Sequence, residues 1–180
     1  LKVEERTKNN MKKIVIIGAN DFQNQLILKA KDMGYETHVF AWKDGSIGEK
    51  TADFFYPISI IEKKQILEEC KKINPDAIAS IASDLAVVTV TYVASKLGLT
   101  CNSLDSILKC TNKYEMRKSF RKSNIPTPAF LEVSENMNFD ISSFRYPLII
   151  KPTDRSGSRG VTKILEKKEI NEALKNAISN

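Results

Sequence analysis

The stretch from Lys151 to Val161, KPTDRSGSRGV, combines the residue types that proteins use to bind phosphate. It contains two glycines, two serines and two arginines, and it follows the apolar run YPLII. Glycine tolerates positive φ, so successive backbone N–H groups can turn toward one anion. Ser156 and Ser158 offer hydroxyl donors, and Arg159 offers a guanidinium fork that matches phosphate oxygens. The pattern predicts a phosphate-binding loop, although the same residue types also occur in a mobile hairpin loop.

The chemistry of this loop differs from that of a Walker loop. The Walker motif GxxxxGK[ST] opens a helix, whereas the segment from Gly157 to Gly160 lacks that lysine and leads into an apolar segment. Lys151, at the end of the preceding predicted strand, can instead reach a nucleotide as a point charge. The carboxylate of Asp154 opposes a bound anion and can serve the loop itself through an Asx turn.

Strands and helices alternate over the first hundred residues. The run KIVII, Lys13–Ile17, is apolar throughout and reads as a strand that is buried on both faces. Similar patterns predict strands at 36–40, 54–57 and 77–81, with helices between them. This alternation is typical of βαβ units around a parallel sheet, so we expect an α/β domain over residues 11–102. The polar, aperiodic residues 1–10 are predicted to form a disordered extension.

The sequence pattern changes after residue 102. Residues 103–122 read as helical, with Asn112 and Glu115 spaced as a capping box. Pro126-Thr127-Pro128 is a stiff break, so residues 103–128 are predicted to be a helical linker. Strands predicted near 129–133, 148–151 and 161–165 precede a short amphipathic helix. Residues 129–180 therefore read as an α+β unit that is too small to be complete.

Polar residues also follow the strands of the first domain. Gly18-Ala19-Asn20 follows the first strand but fails the dinucleotide pattern GxGxxG, which needs glycine at positions 20 and 23. The helix that begins there could still bind a substrate carboxylate. Ser83 and Asp84 follow a later strand, where open α/β sheets bind ligands, or they serve only to cap the next helix. The candidate substrate residues are Gly18, Asn20, Ser83 and Asp84.

Composition argues against several other classes of protein. The net charge is +6, but the lysines occur mostly in pairs on predicted helices, and no arginine-rich tract accompanies them, so we expect no nucleic-acid partner. No apolar run approaches the ~20 residues of a membrane span, and no signal-peptide pattern opens the chain, so a cytoplasmic protein is expected. The three cysteines lack CxxC spacing, and no metal site is predicted within the chain.

Two segments in this order resemble the ATP-grasp family. The sequence NKYEMRKSFRKSNIPTPAF followed by YPLIIKPTDRSGSRGV is similar to the opening of an ATP-grasp domain. Within this family, the sequence resembles more specifically the proteins related to the large chain of carbamoyl-phosphate synthase and to amino-acid ligases. The segments KIVIIGANDFQNQLILKAKDMGYETHVF and PDAIASIASDLAVVTVTYVASKLGL resemble the pre-ATP-grasp domain of that family. The resemblance implies a Rossmann-like pre-ATP-grasp domain with a parallel sheet, followed by the incomplete α+β start of an ATP-grasp domain at 129–180.

The resemblance also assigns roles to particular residues. In the family two lysines contact the ATP phosphates, and Lys113 and Lys151 match them. The glycine-rich loop, here Ser156–Gly160, closes over the β- and γ-phosphates. The ATP-binding residues that the resemblance implies are Lys113, Lys151, Thr153, Ser156, Gly157, Ser158, Arg159 and Gly160.

The implied activity is an ATP-driven ligation. Such proteins convert a carboxylate into an acyl-phosphate, and an amine then displaces the phosphate. Their Mg²⁺ ligands lie well past the loop, so the cofactors expected are ATP and Mg²⁺, with the metal ligands outside this chain. We therefore expect a ligase fragment that is inactive alone and that, in the whole protein, uses small carboxylate and amine substrates. The resemblance also suggests a homodimer through the N-terminal domain. The alternative is a non-catalytic nucleotide- or metabolite-binding module, or one subunit of a split ligase.

Overall fold

The chain folds into two compact units. A computed structural model describes residues 11–134 and 138–179. The first unit ends at Ile107 and the second begins at Leu108, inside the segment that was predicted to be a helical linker. The extension expected at residues 1–10 lies outside the described residues. Each unit has a hydrophobic core of its own.

A four-stranded parallel sheet forms the centre of the first unit. Its strand order is β3-β2-β1-β4, and all three neighbouring pairs are parallel. The strands are β1 (Lys13–Ile17), β2 (Glu36–Phe40), β3 (Phe54–Tyr56) and β4 (Ala77–Ala79). This arrangement confirms the α/β fold with a parallel sheet that the alternating pattern predicted.

Helices cover both faces of this sheet. They are α1 (Asp21–Asp32), α2 (Ile47–Thr51), α3 (Lys63–Ile73) and α4 (Asp84–Leu97). Val15 and Ile17 of β1 belong to one core cluster with residues of α3 and α4, whereas Ile16 belongs to a second cluster with Ile27 of α1. Strand β1 is therefore buried on both faces, which explains its unbroken apolar sequence. Among the described residues, no helix is both long and apolar enough to cross a membrane.

The strand order creates a topological switch point beside β1. Strand β2 pairs with one edge of β1 and β4 pairs with the other, so the connection after β1 leads to one side of that strand and the connection after β3 leads to the opposite side. Open α/β sheets bind ligands outside the carboxyl ends of strands at such a point. The loops after β1 and β4 carry the four candidate substrate residues.

A close approach between α2 and the loop after β1 fixes that loop in place. The N–H of Gly48 donates a hydrogen bond to the carbonyl of Ala19 at 3.0 Å. A β-carbon at position 48 would lie only 2.6 Å from the same carbonyl oxygen. Glycine is therefore required at position 48 by lack of space, because the neighbouring atoms belong to the backbone and cannot rotate away.

The second unit is a small α+β arrangement. Its helices are α5 (Leu104–Thr111), which spans the division between the units, α6 (Lys113–Lys122) and α7 (Ile170–Ser179). Strands β5 (Leu148–Ile150) and β6 (Thr162–Ile164) pair antiparallel, and a one-turn 3-10 helix at Lys167–Glu169 precedes α7. Ile164, Ile170 and Ala173 form the buried centre of its core. The two predicted strands on either side of KPTDRSGSRGV are confirmed.

Residues 103–122 are helical as predicted, in two helices, because the chain leaves the helical conformation at Asn112, whose side chain caps α6. One expectation about the second unit is wrong. The strand predicted near 129–133 is absent from those described residues. The ring of Phe130 instead packs edge-on against Tyr114, with centroids 5.7 Å apart, and under the guanidinium of Arg121 at 4.2 Å. These contacts with α6 partly bury the aromatic side chain without strand pairing.

The close approach at Gly48 can be tested with Gly48→Ala. We expect this substitution to lower the free energy of unfolding by about 1–3 kcal/mol, because the added β-carbon forces α2 away from Ala19. Lys50→Ala, at an exposed position of the same helix, is the matched control and should change stability by less than about 0.5 kcal/mol. Urea unfolding measures both. Equal midpoints for the two variants would contradict the packing described here.

Candidate phosphate-binding site

The loop at residues 151–161 joins two antiparallel strands. Ile150 of β5 lies opposite Thr162 of β6, so the loop closes a hairpin. The φ angles are +68° at Gly157, +59° at Ser158 and +64° at Gly160. Residues in this left-handed region help to form the concavities of backbone N–H groups that bind anions. The loop backbone thus has the conformation that its glycines predicted.

Ser158 is the unexpected member of this loop. A residue with a β-carbon pays of order 1–3 kcal/mol to occupy a sparsely populated backbone region. Glycine at position 158 would avoid this strain, whereas Ser158 provides a hydroxyl at an exposed position. The neighbouring Gly157 has no atom within 4 Å of its missing β-carbon, so its requirement for glycine comes from the positive φ alone.

Lys113 connects helix α6 to the first half of the loop. Its backbone N–H donates to the carbonyl of Thr153 at 2.8 Å, and its ammonium group donates to the carbonyl of Arg155. The side chain of Asn112 accepts hydrogen bonds from the N–H groups of Tyr114 and Glu115 at 2.9 and 3.0 Å. This cap starts the helix at Lys113. The fold therefore brings Lys113 into contact with the loop. Thr153 contributes its backbone carbonyl oxygen to this contact.

Lys151 follows β5 directly and lies at the surface. Desolvation of its ammonium group lowers the pKa of Lys151 below the ordinary lysine value, and the positive charges of Arg117 and Lys113 lower it further. An anion placed among these groups would reverse that effect, because it stabilises the protonated lysine. The two lysines that the resemblance singled out are thus electrostatically coupled in the structure.

Arg117 is a residue that the sequence reasoning missed. It lies four positions after Lys113 on α6, and residues at this spacing share a helix face. Its guanidinium donates to the hydroxyl of Thr127 at 2.7 Å. The i, i+4 spacing from Lys113 was the signal in the sequence that could have identified it.

Within the described residues, the charge of these three cations is not neutralised by carboxylates. Over residues 11–134 and 138–179, no carboxylate oxygen lies within the 4.0 Å ion-pair distance of Lys113, Arg117 or Lys151. Most ion pairs elsewhere in the chain join lysines to nearby acids, as in Lys29–Asp32, Lys31–Asp53, Lys71–Glu68, Lys72–Glu69, Lys118–Glu115 and Lys168–Glu166. An unpaired group of cations beside a loop with left-handed residues is suited to binding a polyanion.

The candidate substrate residues of the first unit have structural roles. The side chain of Asn20 accepts hydrogen bonds from the N–H groups of Phe22 and Gln23 at 3.0 and 3.4 Å, so it caps α1. The hydroxyl of Ser83 accepts from the N–H of Ala86 at 3.2 Å and caps α4. Asp84 is the first residue of α4. The sequence left open whether Ser83 or Asp84 caps this helix, and in the structure the cap is Ser83.

Two hydrogen bonds join the end of β1 and the start of α1 to the residues that follow β4. The hydroxyl of Ser80 donates to the carbonyl of Ile17 at 2.6 Å, and the amide of Gln23 donates to the carbonyl of Ile81 at 2.5 Å. Gln23 is 1% exposed, and a β-carbon at Gly18 would lie 3.0 Å from its side chain. The structure thus brings the segments that contain Gly18, Asn20, Ser83 and Asp84 to one edge of the sheet. The sequence reasoning did not identify Gln23 as the link between them.

The described residues do not fit a magnesium site. Among them, no group of three or more His, Cys, Asp or Glu side chains is arranged to hold a metal ion. The single histidine, His38, is 4% exposed and is held between Glu36 and the hydroxyl of Tyr56 at 2.8 and 3.0 Å. These contacts give His38 a structural role, and no metal-dependent step is assigned to these residues.

The tether between Lys113 and the loop can be tested with Lys113→Met. We expect loss of the ammonium hydrogen bond to increase tryptic cleavage after Arg155 and Arg159 about tenfold, because hydrogen bonds to charged groups contribute about 1.5–3 kcal/mol. Mass spectrometry of the early fragments measures the rate at each site. Lys118→Met, on the same helix, should leave the cleavage rates unchanged. Equal rates in the wild type and Lys113→Met would show that the tether does not restrain the loop.

Comparison with known proteins finds a family match in the second unit and relatives that are similar to both units. Residues 110–180 match the family model described as an ATP-grasp domain. The chain is 26% identical over 172 residues to the formate-dependent phosphoribosylglycinamide formyltransferase of Sulfurisphaera tokodaii, covering 94% of this chain and 43% of the relative. The same enzyme of Prochlorococcus marinus is 23% identical over 172 residues, covering 94% of this chain and 44% of the relative. The chain thus spans less than half the length of these curated relatives.

Solved structures show the same fold. The L-amino acid ligase of Bacillus licheniformis superposes with a TM-score of 0.75 at 20% identity, over 94% of this chain and 42% of that one. The N5-carboxyaminoimidazole synthetase of Staphylococcus aureus, solved with ADP, superposes with a TM-score of 0.75 at 18% identity, over 94% and 45%. The narrower likeness to carbamoyl-phosphate synthase stays a prediction. The family match covers residues 110–180 in the second unit, and the curated relatives and solved structures are similar to both units, so the second unit matches an ATP-grasp domain and the chain as a whole has the fold of these proteins.

Proposed function

We propose that the chain is part of an ATP-dependent ligase that joins a carboxylate to an amine through an acyl-phosphate. The observation that carries this proposal is the unpaired charge of Lys113 and Lys151 beside a loop with left-handed residues, within a segment that matches an ATP-grasp domain. A triphosphate supplies the negative charge that this arrangement lacks. The curated relatives, named for formate and phosphoribosylglycinamide, support small carboxylate and amine substrates.

The loop and the two lysines would hold the phosphate end of ATP. Lys113 and Lys151 supply positive charge, and the serine hydroxyls and backbone N–H groups of Ser156–Gly160 supply hydrogen bonds to phosphate oxygens. Arg159 is exposed in the same loop and can add a bidentate contact. The ammonium of Lys113 now donates to the carbonyl of Arg155, and a phosphate oxygen can replace that acceptor.

The acyl-phosphate route follows from the chemistry of carboxylates. A carboxylate resists nucleophilic attack because its charge is delocalised over two oxygens. When one of these oxygens attacks the γ-phosphorus of ATP, ADP leaves and a mixed anhydride forms. An amine then attacks the acyl carbon, and inorganic phosphate leaves with the electron pair of the broken C–O bond. The cations stabilise the charge on the transferring phosphoryl group.

We place the substrate contacts of the first unit at the carboxyl ends of β1 and β4. Gly18 and Asn20 follow one strand, and Ser83 and Asp84 follow the other, at the switch point of the sheet. The capping roles of Asn20 and Ser83 are compatible with this location, because the caps hold the two loops in a fixed shape. Backbone groups of these loops remain as ligands for a substrate.

The complete ligase extends, in this proposal, beyond the 180 residues. The chain covers 43% of the first curated relative, and its described residues do not fit the magnesium that ATP chemistry requires. We therefore propose that the 180-residue chain alone does not catalyse ligation. A non-catalytic nucleotide- or metabolite-binding module, or one subunit of a split ligase, is the alternative.

Trapping with hydroxylamine tests the proposed reaction. The full-length gene product, supplied with ATP, Mg²⁺, hydroxylamine and a panel of carboxylates that includes formate and amino acids, should form a hydroxamate with stoichiometric release of ADP. Lys151→Met should reduce the rate about 100-fold, because it removes a cation from the transferring phosphoryl group, and Lys118→Met should not. Hydroxamate formation should be absent with the 180-residue chain alone.

Three outcomes of this experiment would contradict parts of the proposal. Release of AMP and pyrophosphate would show an adenylate in place of an acyl-phosphate. The lack of turnover with every carboxylate, together with retained ATP binding, would favour the binding module. Robust ADP release by the 180-residue chain would overturn the proposed need for the rest of the protein.

A further inference from the structure

The face of α6 that carries Lys113 also carries Arg117. Lys113 binds the loop through Thr153 and Arg155, so this face is turned toward residues 151–155. Residues four apart on a helix lie one above the other on the same face. Arg117 is half-buried and is therefore placed one helical turn further along the surface that contacts the loop.

We propose that Arg117 is a third phosphate-binding residue, which contacts the triphosphate together with Lys113 and Lys151. The inference rests on the proposed function, and it adds a residue that neither the loop pattern nor the resemblance identified. A guanidinium presents its N–H donors in a planar fork that matches two phosphate oxygens at once. Arg117 would thus orient the phosphate chain, whereas the two lysines act as point charges.

The hydrogen bond to Thr127 holds the guanidinium in position. The bond is 2.7 Å long and uses donors on one nitrogen, so other N–H groups of the fork remain for a ligand. Thr127 lies between Pro126 and Pro128, whose fixed φ angles restrict its backbone. An arginine anchored in this way loses little additional freedom when it binds an anion.

The partners of neighbouring basic residues show how Arg117 differs from them. Lys118 forms an ion pair with Glu115 at 2.9 Å, and the guanidinium of Arg121 lies 4.2 Å from the ring centroid of Phe130. Within the described part of the chain, Arg117 is hydrogen-bonded only to a neutral hydroxyl. No carboxylate of the described residues therefore neutralises its positive charge, which is available to a bound anion.

The electrostatic coupling of Arg117 to Lys151 supports the same placement. Desolvation is the largest cause of the lowered pKa of Lys151, and the charge of Arg117 contributes more to the lowering than that of Lys113. Like charges held together destabilise each other, and a polyanion bound among them removes this cost. Arg117 is thus part of the same charged group as Lys151.

A purely structural role for Arg117 makes different predictions. In that role the side chain would only hold Thr127 against α6, and loss of the hydrogen bond from either partner would have the same effect. Thr127→Val removes the acceptor but keeps the charge of Arg117. Arg117→Lys keeps the charge but loses the fork, and Arg117→Gln removes the charge.

The experiment is an NMR titration of the 180-residue chain with inorganic tripolyphosphate at low ionic strength. The wild type should bind with a dissociation constant of about a millimolar, the weak end of the affinity scale. Arg117→Gln should weaken binding about tenfold, and Arg117→Lys should weaken it less, since a charge-assisted hydrogen bond contributes about 1.5–3 kcal/mol. Thr127→Val should weaken binding less than Arg117→Gln does, because it loses the anchor and keeps the charge, and the control Lys118→Gln should stay within about twofold of the wild type.

The titration of the Lys151 ammonium, followed by NMR in the same variants, provides a readout that a structural role would not change. Its pKa should rise in Arg117→Gln, because a positive charge has been removed, and should be unchanged in Thr127→Val. Amide spectra check that each variant is folded, and Arg117→Lys carries the test if Arg117→Gln is not.

The outcomes separate this inference from the proposed function. Wild-type affinity in Arg117→Gln, together with lost affinity in Lys151→Met, would overturn the role of Arg117 and leave the ATP site standing. Equal weakening in Thr127→Val and Arg117→Gln, with no change in the Lys151 pKa, would assign Arg117 a structural role and also overturn the inference. Absence of tripolyphosphate binding by the wild type would contradict both the inference and the proposed ATP site.

Discussion

Two hydrogen bonds from Lys113 determine where the candidate phosphate ligands lie. One runs from its backbone N–H to the carbonyl of Thr153, and the other runs from its ammonium group to the carbonyl of Arg155. They hold the first turn of α6 against the loop that follows β5. The Asn112 cap fixes the start of α6, and the bonds to the loop fix Lys113 at that start. Arg117 lies four residues later and therefore on the same face of the helix.

This arrangement concentrates positive charge without neutralising it. Over the described residues, Lys113, Arg117 and Lys151 have no carboxylate partner, whereas most ion pairs elsewhere join lysines to nearby acids. Repulsion among such cations costs stability, and it adds to the desolvation that lowers the pKa of Lys151. A site that is unfavourable when empty and favourable with a polyanion is the electrostatic basis of the proposed ATP function.

Much of the fold could be predicted because local pattern and tertiary structure agree. The apolar run of β1 required burial on both faces, and the glycines of the 151–161 loop required positive φ. The strand near 129–133 was predicted wrongly, because Phe130 packs on α6 instead of pairing in a sheet, and no local pattern carries that information. Gln23 and Arg117 were missed for a similar reason, since each acts through partners that only the tertiary fold brings close. Lys113 could be identified only by resemblance.

Amide NMR of the isotope-labelled 180-residue chain with ATP tests the central claim most directly. We expect the largest shift changes at Lys113, Lys151 and residues 156–160, with little change in α7, which packs against β5 and β6. Changes that are absent from the loop, or that are confined to the first unit, would contradict the assignment of residues 151–161 as the phosphate-binding loop.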